Sequence, residues 1–548
     1  MTGTPVSRIA RRAWARWCSY WLAPGGQYSA AALRIAIAVS LLWLLSHDYP
    51  IADQPASASY YRIGIWQLYP GRPGPELLSV IEVIAWLSTA ALLVGAWTRT
   101  AHAISLISVL ALATYGVSDT PTWSHADAPP LLASFAFLGA RGGDVLAVDA
   151  WWRRWRGRAQ PAPAAYQASV RLVQIAVAAV FLIAGYCKLR AGGGLAWALS
   201  DNLRNQLLVR FDWLQLPRTP VAQWLLGAPW RYELCAMLNL ISQTSQLAAV
   251  FLVRRPVWRA LIGALYCAEV IGLAVVMDLW NLNWLALAAA YIDWDALVAW
   301  RRGPAPAATA PVHGRGRVAF ATAFVVFFAL QAFWFNQRLR AFPFSSFPMF
   351  AAVRAKRPYD RHQTYELIGG RIELLASRPL THDEQTWIDS RSTYRWMWHD
   401  RDPAQLRRDL QVILDENRRR LPGAGITGVR LWLSVFRAPA SPAPARLDRI
   451  DVAIIGELDA GGTLRTALGT LARDRVTLSS APLGVDLAGA SLAVMRDDVP
   501  PPQPLAARAT ATGWTLEAPL TGDPVHVVAI PPGSTTPWLV AGQSHRGY

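Results

Sequence analysis

The residue with the clearest capacity for chemistry is a lysine that closes an apolar run. Lys188 is the only charged side chain in the segment FLIAGYCKL, Phe181–Leu189. An ionisable group at membrane depth is costly unless it is paired or hydrated. In an apolar setting an amine gives up its proton more readily than in water, so it can act as a base. The alternative is structural, because a lysine near a helix end can extend its ammonium group to the lipid headgroups.

A histidine is the second candidate, because we expect it on the same side of the membrane as the lysine. His125 lies in WSHAD, Trp123–Asp127, in a short predicted loop. Imidazole exchanges protons near neutral pH, and two titratable groups that approach from different elements can form an acid/base pair. The sequence therefore indicates Lys188 and His125 as candidate catalytic residues. A hydrated loop histidine without a chemical role is the alternative.

Other polar side chains inside apolar segments are expected to form hydrogen bonds between helices. This group comprises Glu82, Asn239, Gln243, Gln246 and Glu269. Nearer the C-terminus, His362, His382 and His399 have neither a zinc-type spacing nor a cysteine partner. The sequence predicts no metal site, and it contains no phosphate-binding loop or nucleophile motif.

The elements that position these residues must lie in a membrane. Hydrophobic residues make up 53% of the 548-residue chain and charged residues only 16%. The apolar residues occur in blocks of about 20, the length at which a helix crosses the hydrocarbon core. We predict an all-α polytopic membrane helix bundle with about nine transmembrane helices, because spanning backbone must satisfy its own hydrogen bonds. The predicted spans are Ala30–Ser46, Leu77–Trp97, Ala103–Val117, Pro129–Ala140, Ala168–Tyr186, Tyr232–Val253, Trp258–Val276, Leu279–Trp300 and Val318–Phe335.

The net charge of +17 does not indicate a nucleic-acid partner. The arginines flank the apolar blocks and form no basic stripe with interleaved aromatic residues. Many of the 27 tryptophans lie near block ends, which is typical of the aromatic belts at a membrane surface. The predicted partner is therefore the lipid bilayer. The cysteines indicate no disulfide framework; they are Cys18, Cys187, Cys235 and Cys267.

The distribution of lysine and arginine predicts the orientation, since cytoplasmic loops retain these residues. One set of alternate loops holds Arg8, Arg11, Arg12, Arg16, Arg99, Arg153, Arg154, Arg156, Arg158, Arg254, Arg255, Arg259, Arg301, Arg302, Arg315 and Arg317. The other set is longer and holds Arg62, Arg72, Lys188, Arg190, Arg204, Arg210 and Arg218. We expect a multi-pass protein of the cell membrane with a cytoplasmic N-terminus. An odd number of spans then places the C-terminal domain outside the cytoplasm.

Composition divides the chain into four parts. We predict a cytoplasmic segment at residues 1–28, a transmembrane bundle at 29–335, a membrane-surface linker at 336–357 and a soluble extracytoplasmic α+β domain at 358–548. The last part has no catalytic signature.

Three patterns carry the α+β prediction for the C-terminal domain. Residues Tyr365–Leu375 alternate around a Gly-Gly pair, which predicts a hairpin. Asp402-Pro403 is typical of a helix start, and the apolar face that follows predicts a helix up to Pro422. Residues Val429–Val435 alternate between apolar and polar side chains, which predicts a half-buried strand.

The segment around Lys188 resembles the signature of a known family. Phe181–Leu189 resembles the aromatic-x-x-Ala-Gly-x-x-Lys-Leu pattern of the horizontally transferred transmembrane (HTTM) domain. This is the family of vitamin K-dependent gamma-glutamyl carboxylases and their bacterial relatives. In that family an outer-loop histidine precedes a span that ends in Gly-Asp and a Ser-x-Asp-like run. His125, Gly143-Asp144 and Ala147-Val-Asp149 follow the same order. The resemblance covers about residues 29–300, and the tail matches only in position.

The resemblance implies a role for each candidate residue. Lys188 corresponds to the lysine that deprotonates the reduced vitamin K, so that oxygen can convert the quinol into a strong base. His125 corresponds to the histidine associated with that lysine and the quinol. The strong base removes a γ-proton from a substrate glutamate, and the carbanion captures carbon dioxide. The implied cofactor is a reduced quinone, vitamin K or menaquinone, with O2 and CO2 as co-substrates. The implied partner is an extracytoplasmic protein substrate.

The sequence departs from the family pattern at several positions. Phe181 replaces the tyrosine common in the signature, and Cys187 stands where the animal enzymes have a second lysine. The run AGGGLAW, residues 191–197, departs from the usual acidic follow-on. Two functions therefore remain open. The first is a carboxylase-like carbon-carbon lyase linked to a quinol. The alternative is a non-enzymatic membrane anchor, assembly or lipid-binding protein of the cell envelope.

Overall fold

The structure of the chain is a computed structural model that covers the predicted bundle and the C-terminal part. It describes residues 5–22, 26–47, 62, 64–119, 127–158, 166–191, 193–213, 216–252, 255–302, 315–333, 359–369, 403–420, 422–437, 448–471, 475–478, 484–496, 502–518 and 525–542.

All elements described up to Phe333 are helical. The α-helices are α1 (Pro5–Trp21), α2 (Gln27–His47), α3 (Pro75–Val94), α4 (Thr98–Asp119), α5 (Ala128–Phe137), α6 (Val148–Trp155), α7 (Gln167–Ala191), α8 (Asn202–Leu208), α9 (Pro220–Leu226), α10 (Pro229–Phe251), α11 (Pro256–Met277), α12 (Trp294–Arg302) and α13 (Arg315–Phe333). Shorter segments of other helical types are the 3₁₀ helices Gly64–Leu68, Gly194–Trp197 and Leu282–Tyr291 and the π-helical turn Val209–Trp213.

Within the described ranges, six helices are long and apolar enough to cross a membrane. They are α2, α3, α4, α7, α10 and α11, and each overlaps a predicted span. Many of their apolar side chains point away from the protein interior, as Val83 and Leu87 of α3 do. Apolar side chains on an outer face are stable in lipid but not in water. The six helices therefore fit a multi-pass membrane protein in a lipid bilayer.

The other three predicted spans are not membrane-length apolar helices in the described structure, so the count of about nine is not confirmed. The fourth, predicted at Pro129–Ala140, is α5, which has ten residues. The chain turns after it at Gly139, whose φ is 76°. The ninth, predicted at Val318–Phe335, falls on α13 (Arg315–Phe333), of which the stretch Val318–Phe327 has described side chains and is apolar.

The prediction of one continuous helix for the eighth span, Leu279–Trp300, is wrong. The chain forms the 3₁₀ helix Leu282–Tyr291, becomes extended at Ile292 and then begins α12. The break has a local cause, because the Asp293 side chain accepts a hydrogen bond from the backbone N–H of Ala296 at 3.0 Å. A capping carboxylate of this kind starts a new helix. The 3₁₀ helix is largely buried in the bundle.

A glycine allows α7 to approach α10 closely. A Cβ added at Gly185 would lie 3.2 Å from Cγ2 of Thr244 and 3.3 Å from Cβ of Gln243. Small residues at such contacts let two membrane helices pack backbone to backbone. The close approach brings the last turn of α7, which carries Lys188, next to the polar face of α10.

The described part of the C-terminal region is rich in strands and holds one helix. The strands are β1 (Tyr359–Ile368), β2 (Gly428–Arg437), β3 (Asp448–Asp459), β4 (Leu464–Arg465), β5 (Gly469–Leu471), β6 (Arg475–Leu478), β7 (Ser491–Arg496), β8 (Gln503–Leu505), β9 (Ala507–Thr510), β10 (Gly513–Leu516), β11 (Val525–Ile530) and β12 (Trp538–Gly542). The helix is α14 (Pro403–Arg420). One sheet has the strand order β1-β2-β3-β12-β11-β7-β8, with β4 beside β3, and the other has the order β5-β6-β10-β9.

The structure agrees with two of the three C-terminal predictions and describes only part of the third. The predicted helix is α14, and the predicted strand Val429–Val435 lies within β2. The first arm of the predicted hairpin Tyr365–Leu375 belongs to β1, while its second arm lies outside the described residues. The ladder partner of β1 is β2, and the two strands run antiparallel. Two hydrophobic clusters of this region consist of its own residues, with α14 packed in one of them.

Candidate active site around Lys188

Lys188 is buried near the C-terminal end of α7. Its side chain is 2% exposed, so the ammonium group does not reach the surface of the protein. Lys188 Nζ donates a hydrogen bond to Oδ1 of Asn239 at 2.6 Å. It also lies 4.6 Å from the centroid of the Trp197 ring, which is the geometry of a cation–π contact. The ammonium group is therefore bound by the protein on two sides.

Asn239 connects the lysine to a carboxylate on a third helix. The Asn239 amide nitrogen donates a short hydrogen bond to Oε1 of Glu269. The same Glu269 oxygen accepts a second hydrogen bond, of 2.9 Å, from Nε2 of Gln243. Glu269 is 7% exposed. Lys188 on α7, Asn239 and Gln243 on α10 and Glu269 on α11 thus form one buried polar network, which we call the lysine network.

An aromatic cluster lies beneath the lysine network, about two turns back along α7. The Phe181 ring packs edge-on against the rings of Tyr266 and Trp284, at centroid distances of 5.1 Å and 5.6 Å. The Tyr266 hydroxyl donates a hydrogen bond to the Trp284 carbonyl oxygen at 2.9 Å. Phe181 carries no hydroxyl, so its surroundings are apolar on this side. The cluster separates the lysine network from the other end of the bundle.

A layer of buried polar side chains follows Trp197 in the chain. The helix α8 is buried along its whole length although most of its side chains are polar. The Asn202 amide donates to the carbonyl oxygen of Trp197 at 3.3 Å, and Arg204 donates to Asn205 at 3.2 Å. The ring that contacts Lys188 is therefore tied to this polar layer. Sequence reasoning did not find the layer, because its polar pattern is typical of an exposed loop.

The lysine network was only half visible in the sequence. Asn239, Gln243 and Glu269 were predicted to bond between helices, and Asn239 and Gln243 both donate to Glu269. Their connection to Lys188 was missed. The spacing of Asn239 and Gln243 was a usable signal, because residues four apart lie on one face of a helix. The sequence does not say which neighbouring helix that face meets.

The network can hold a proton acceptor in a dry part of the protein. Burial removes the hydration of the ammonium group, and Glu269 provides a compensating charge through Asn239. One polar atom of the network lacks a partner within the described residues: Oε1 of Gln243 is buried without a hydrogen bond. This atom is an acceptor for a hydroxyl or amide group of a ligand.

The second candidate residue, His125, lies outside the described residues. The structure therefore gives no distance between His125 and Lys188. Among the described residues no group of three or more His, Cys, Asp or Glu side chains could hold a metal ion.

Comparison of the chain with family models, with curated proteins and with solved structures yields no match. The fold and site define a class only: a polytopic helical protein with a buried lysine–amide–carboxylate network and a β-rich C-terminal part.

Proposed function

We propose that this protein is a membrane enzyme in which Lys188 acts as a base on a reduced quinone, in a reaction resembling that of the vitamin K-dependent gamma-glutamyl carboxylases. One observation carries the proposal: Lys188 is buried at 2% exposure and hydrogen-bonded to Asn239, rather than extended to a headgroup. A lysine that served only as a membrane anchor would reach the surface.

The residues of the lysine network suit a quinol chemically. A quinol is apolar over most of its surface and carries two hydroxyl groups, so it needs an apolar wall and hydrogen-bond partners. Phe181 and its aromatic neighbours make the bundle interior apolar about two turns from Lys188, and Oε1 of Gln243 supplies an unpaired acceptor. Lys188 Nζ supplies the group that takes a proton from a hydroxyl. When bound, a reduced quinone would supply, together with O2, the strong base that a glutamyl γ-proton requires.

Lys188 must be uncharged at the moment it accepts a proton. Burial makes the uncharged state easier to reach than in water, because the ammonium group has lost its hydration and depends on Glu269 for its stability. Once protonated, Lys188 forms an ion pair with Glu269 across Asn239, and this attraction stabilises the product of the proton transfer. Trp197 adds a favourable contact to the charged form. The network is thus built to receive one positive charge.

The proposed substrate is a glutamyl side chain of an extracytoplasmic protein. This part of the proposal depends on the predicted orientation, in which the end of α7 that carries Lys188 faces outward. His125, in the loop predicted on the same side, is the proposed partner of Lys188 in proton transfer.

The direct test uses the purified full chain in lipid nanodiscs. Reduced menaquinone or vitamin K, O2, labelled bicarbonate and a short glutamate-containing peptide are supplied, and quinone epoxide and peptide-bound label are measured. We expect both products with the native protein and a loss of at least about 100-fold in Lys188→Met, because general acid–base groups contribute on this scale. Arg190→Met is the matched control, since Arg190 is exposed two residues away on the same helix.

The outcomes test separately whether the reaction occurs and whether Lys188 is its base. Absence of both epoxide and label with the native protein would exclude the carboxylase reaction. Full activity of Lys188→Met would exclude Lys188 as the base. If Arg190→Met also loses activity, the loss in Lys188→Met reflects a general disturbance of the C-terminal end of α7.

A second function is favoured by the C-terminal region. Its two hydrophobic clusters are formed by its own residues, as expected of a separately packed unit that the bundle would anchor to the membrane. In this alternative the bundle is an anchor, and Lys188 has a structural role. The full chain carrying Lys188→Met would then cross-link to envelope proteins as the native protein does. Cells that carry this variant would grow like cells with the native gene. Impaired growth of the cells that carry Lys188→Met, with cross-linking unchanged, would contradict the anchor function.

A further inference from the structure

A second buried cation lies at the opposite end of α7 from Lys188. Arg171, near the start of the helix, is 4% exposed. Its guanidinium carbon lies 3.9 Å from the centroid of the Tyr20 ring of α1. Its Nε and Nη1 atoms are buried and have no hydrogen-bond partner within the described residues. The ring face contacts the cation but accepts none of its in-plane N–H groups.

A second buried arginine lies beside Arg171. Arg259, near the start of α11, is 6% exposed. It lies near this end of α7, because the Ala290 carbonyl oxygen accepts a hydrogen bond from Gln174, one turn after Arg171, and the next carbonyl binds Arg259. Its Nε donates to the carbonyl oxygen of Tyr291 at 3.1 Å, and its Nη2 lies 3.2 Å from a carboxylate oxygen of Asp293. Arg259 is therefore neutralised by Asp293. Arg171 has no carboxylate of its own in the part of the chain that the structure describes.

Helix ends of both polarities meet near Arg171: the C-terminal end of α10, which carries a partial negative charge, and the starts of α7 and α11, which carry partial positive charges. The Tyr20 hydroxyl donates to the carbonyl oxygen of Val250 at 3.0 Å, which places the pair at the C-terminal end of α10. α11 starts five residues after α10 ends, so the first turns of α7 and α11 lie at the same end of the bundle. The N-terminal end of a helix carries a partial positive charge and attracts anions.

One further donor here lacks a partner among the described residues. The indole N–H of Trp21 is buried and unpaired, and its ring lies 5.0 Å from that of Tyr20. A group of unpaired donors around an uncompensated cation is unfavourable in a protein interior unless an acceptor is present.

We propose that Arg171 binds a phosphate group at the end of the bundle formed by the starts of α7 and α11. A phosphate group offers several acceptor oxygens to guanidinium N–H donors, and Arg171 has two unpaired donor nitrogens, Nε and Nη1, on different edges of its plane. The phosphate belongs either to the headgroup of an anionic phospholipid or to free phosphate. α1 favours the headgroup, because it exposes Arg11, Arg12 and Arg16 on an amphipathic helix, a pattern typical of contact with an anionic lipid surface.

The test compares the melting temperature of the delipidated full chain in two kinds of nanodisc. One contains phosphatidylcholine alone, and the other adds phosphatidylglycerol. A ligand that binds only the native state stabilises that state, so we expect an increase of about 3 °C in the anionic nanodiscs. Arg171→Met should lose this increase. Arg154→Met is the matched control, because it removes the same charge from an exposed position on α6 and should keep the increase.

A third arm adds inorganic phosphate to the phosphatidylcholine nanodiscs. An equal increase with inorganic phosphate, lost in Arg171→Met, identifies free phosphate as the ligand. An increase with the anionic lipid alone identifies the headgroup. If native protein responds to neither, or if Arg171→Met responds as the native protein does, the site does not exist.

Arg171→Met should fold, because it replaces an unpaired buried cation by an apolar side chain of similar length. It should melt in phosphatidylcholine at or above the native temperature. Should it fail to fold, Arg171→Lys decides the matter, since it keeps the charge and loses the planar guanidinium donors. A full increase in Arg171→Lys would contradict recognition by the guanidinium group.

Discussion

At the scale of single residues, Glu269 controls how much charge Lys188 can carry. The two side chains do not touch, because Asn239 lies between them. Removal of one member of a buried ion pair leaves the other uncompensated, which costs more than the removal of both.

This arrangement predicts a coupling between Lys188 and Glu269. Glu269→Leu should lower the stability strongly, and the double variant with Lys188→Met should recover part of the loss. We expect an interaction free energy of about 0.5–3 kcal/mol from a double-mutant cycle. The measurement is unfolding of the purified protein in mixed micelles of SDS and detergent. Strictly additive effects would show that the two residues are independent in the native protein.

At the scale of elements, Gly185 sets the distance between α7 and α10. A methyl group at this position would lie 3.2 Å from Thr244, which is tighter than ordinary contact. The strain should separate the two helices and weaken the hydrogen bond from Lys188 to Asn239.

We therefore predict opposite effects for two glycine-to-alanine substitutions. Gly185→Ala should lower the melting temperature, because overpacking costs about 1–3 kcal/mol. Gly272→Ala on α11 meets nothing within 4 Å and should be neutral or stabilise by about 0.5–1 kcal/mol. The comparison is made by thermal unfolding in the same detergent. A stabilising Gly185→Ala would show that the helices are not in close contact there.

The elements also show where sequence reasoning succeeds in this protein. Long apolar runs such as Pro75–Val94 are recognisable by their length, because a helix that crosses the hydrocarbon core needs apolar side chains along its whole length. The run Leu279–Trp300 meets the same criterion, yet it divides at Asp293 into two helical segments of different type. Hydropathy records that a segment is apolar, but the hydrogen-bonding of its backbone depends on the helices that enclose it.

At the scale of the whole molecule, the number of spans decides where the C-terminal region lies. The six membrane-length helices alone would place both ends of the chain on one side. The additional crossings predicted at Pro129–Ala140, Leu279–Trp300 and Val318–Phe335 would place the ends on opposite sides. The short helices are therefore as important for topology as the long ones.

Reporter fusions at the C-terminus test this parity. We expect alkaline phosphatase fused after Tyr548 to be active and a green fluorescent protein fused there to be dark in a bacterial host, because both reporters respond to export across the membrane. A fusion after Trp155, predicted to be cytoplasmic by its neighbouring arginines, should give the reverse result. A fluorescent C-terminal fusion would mean an even number of crossings.

The candidate site could be predicted in its parts but not in its assembly. Lys188 is recognisable because it is an isolated charge in an apolar run, and the mid-helix amides stand out for the same reason. Their pairing depends on which faces of α7, α10 and α11 meet, and this follows from contacts such as that of Gly185. Arg171 resembles an ordinary flanking arginine in the sequence, since its burial depends on α1 and α11.

The amide at position 239 has a consequence for the path of protons. An amide side chain accepts a hydrogen bond from Lys188 and donates one to Glu269, but it does not release a proton of its own under ordinary conditions. Glu269 can therefore influence the lysine without exchanging protons with it. If Lys188 takes up a proton as proposed, that proton has no route through Asn239 to Glu269. Asn239→Asp would replace the amide by a titratable carboxyl group, through which Lys188 and Glu269 could exchange protons.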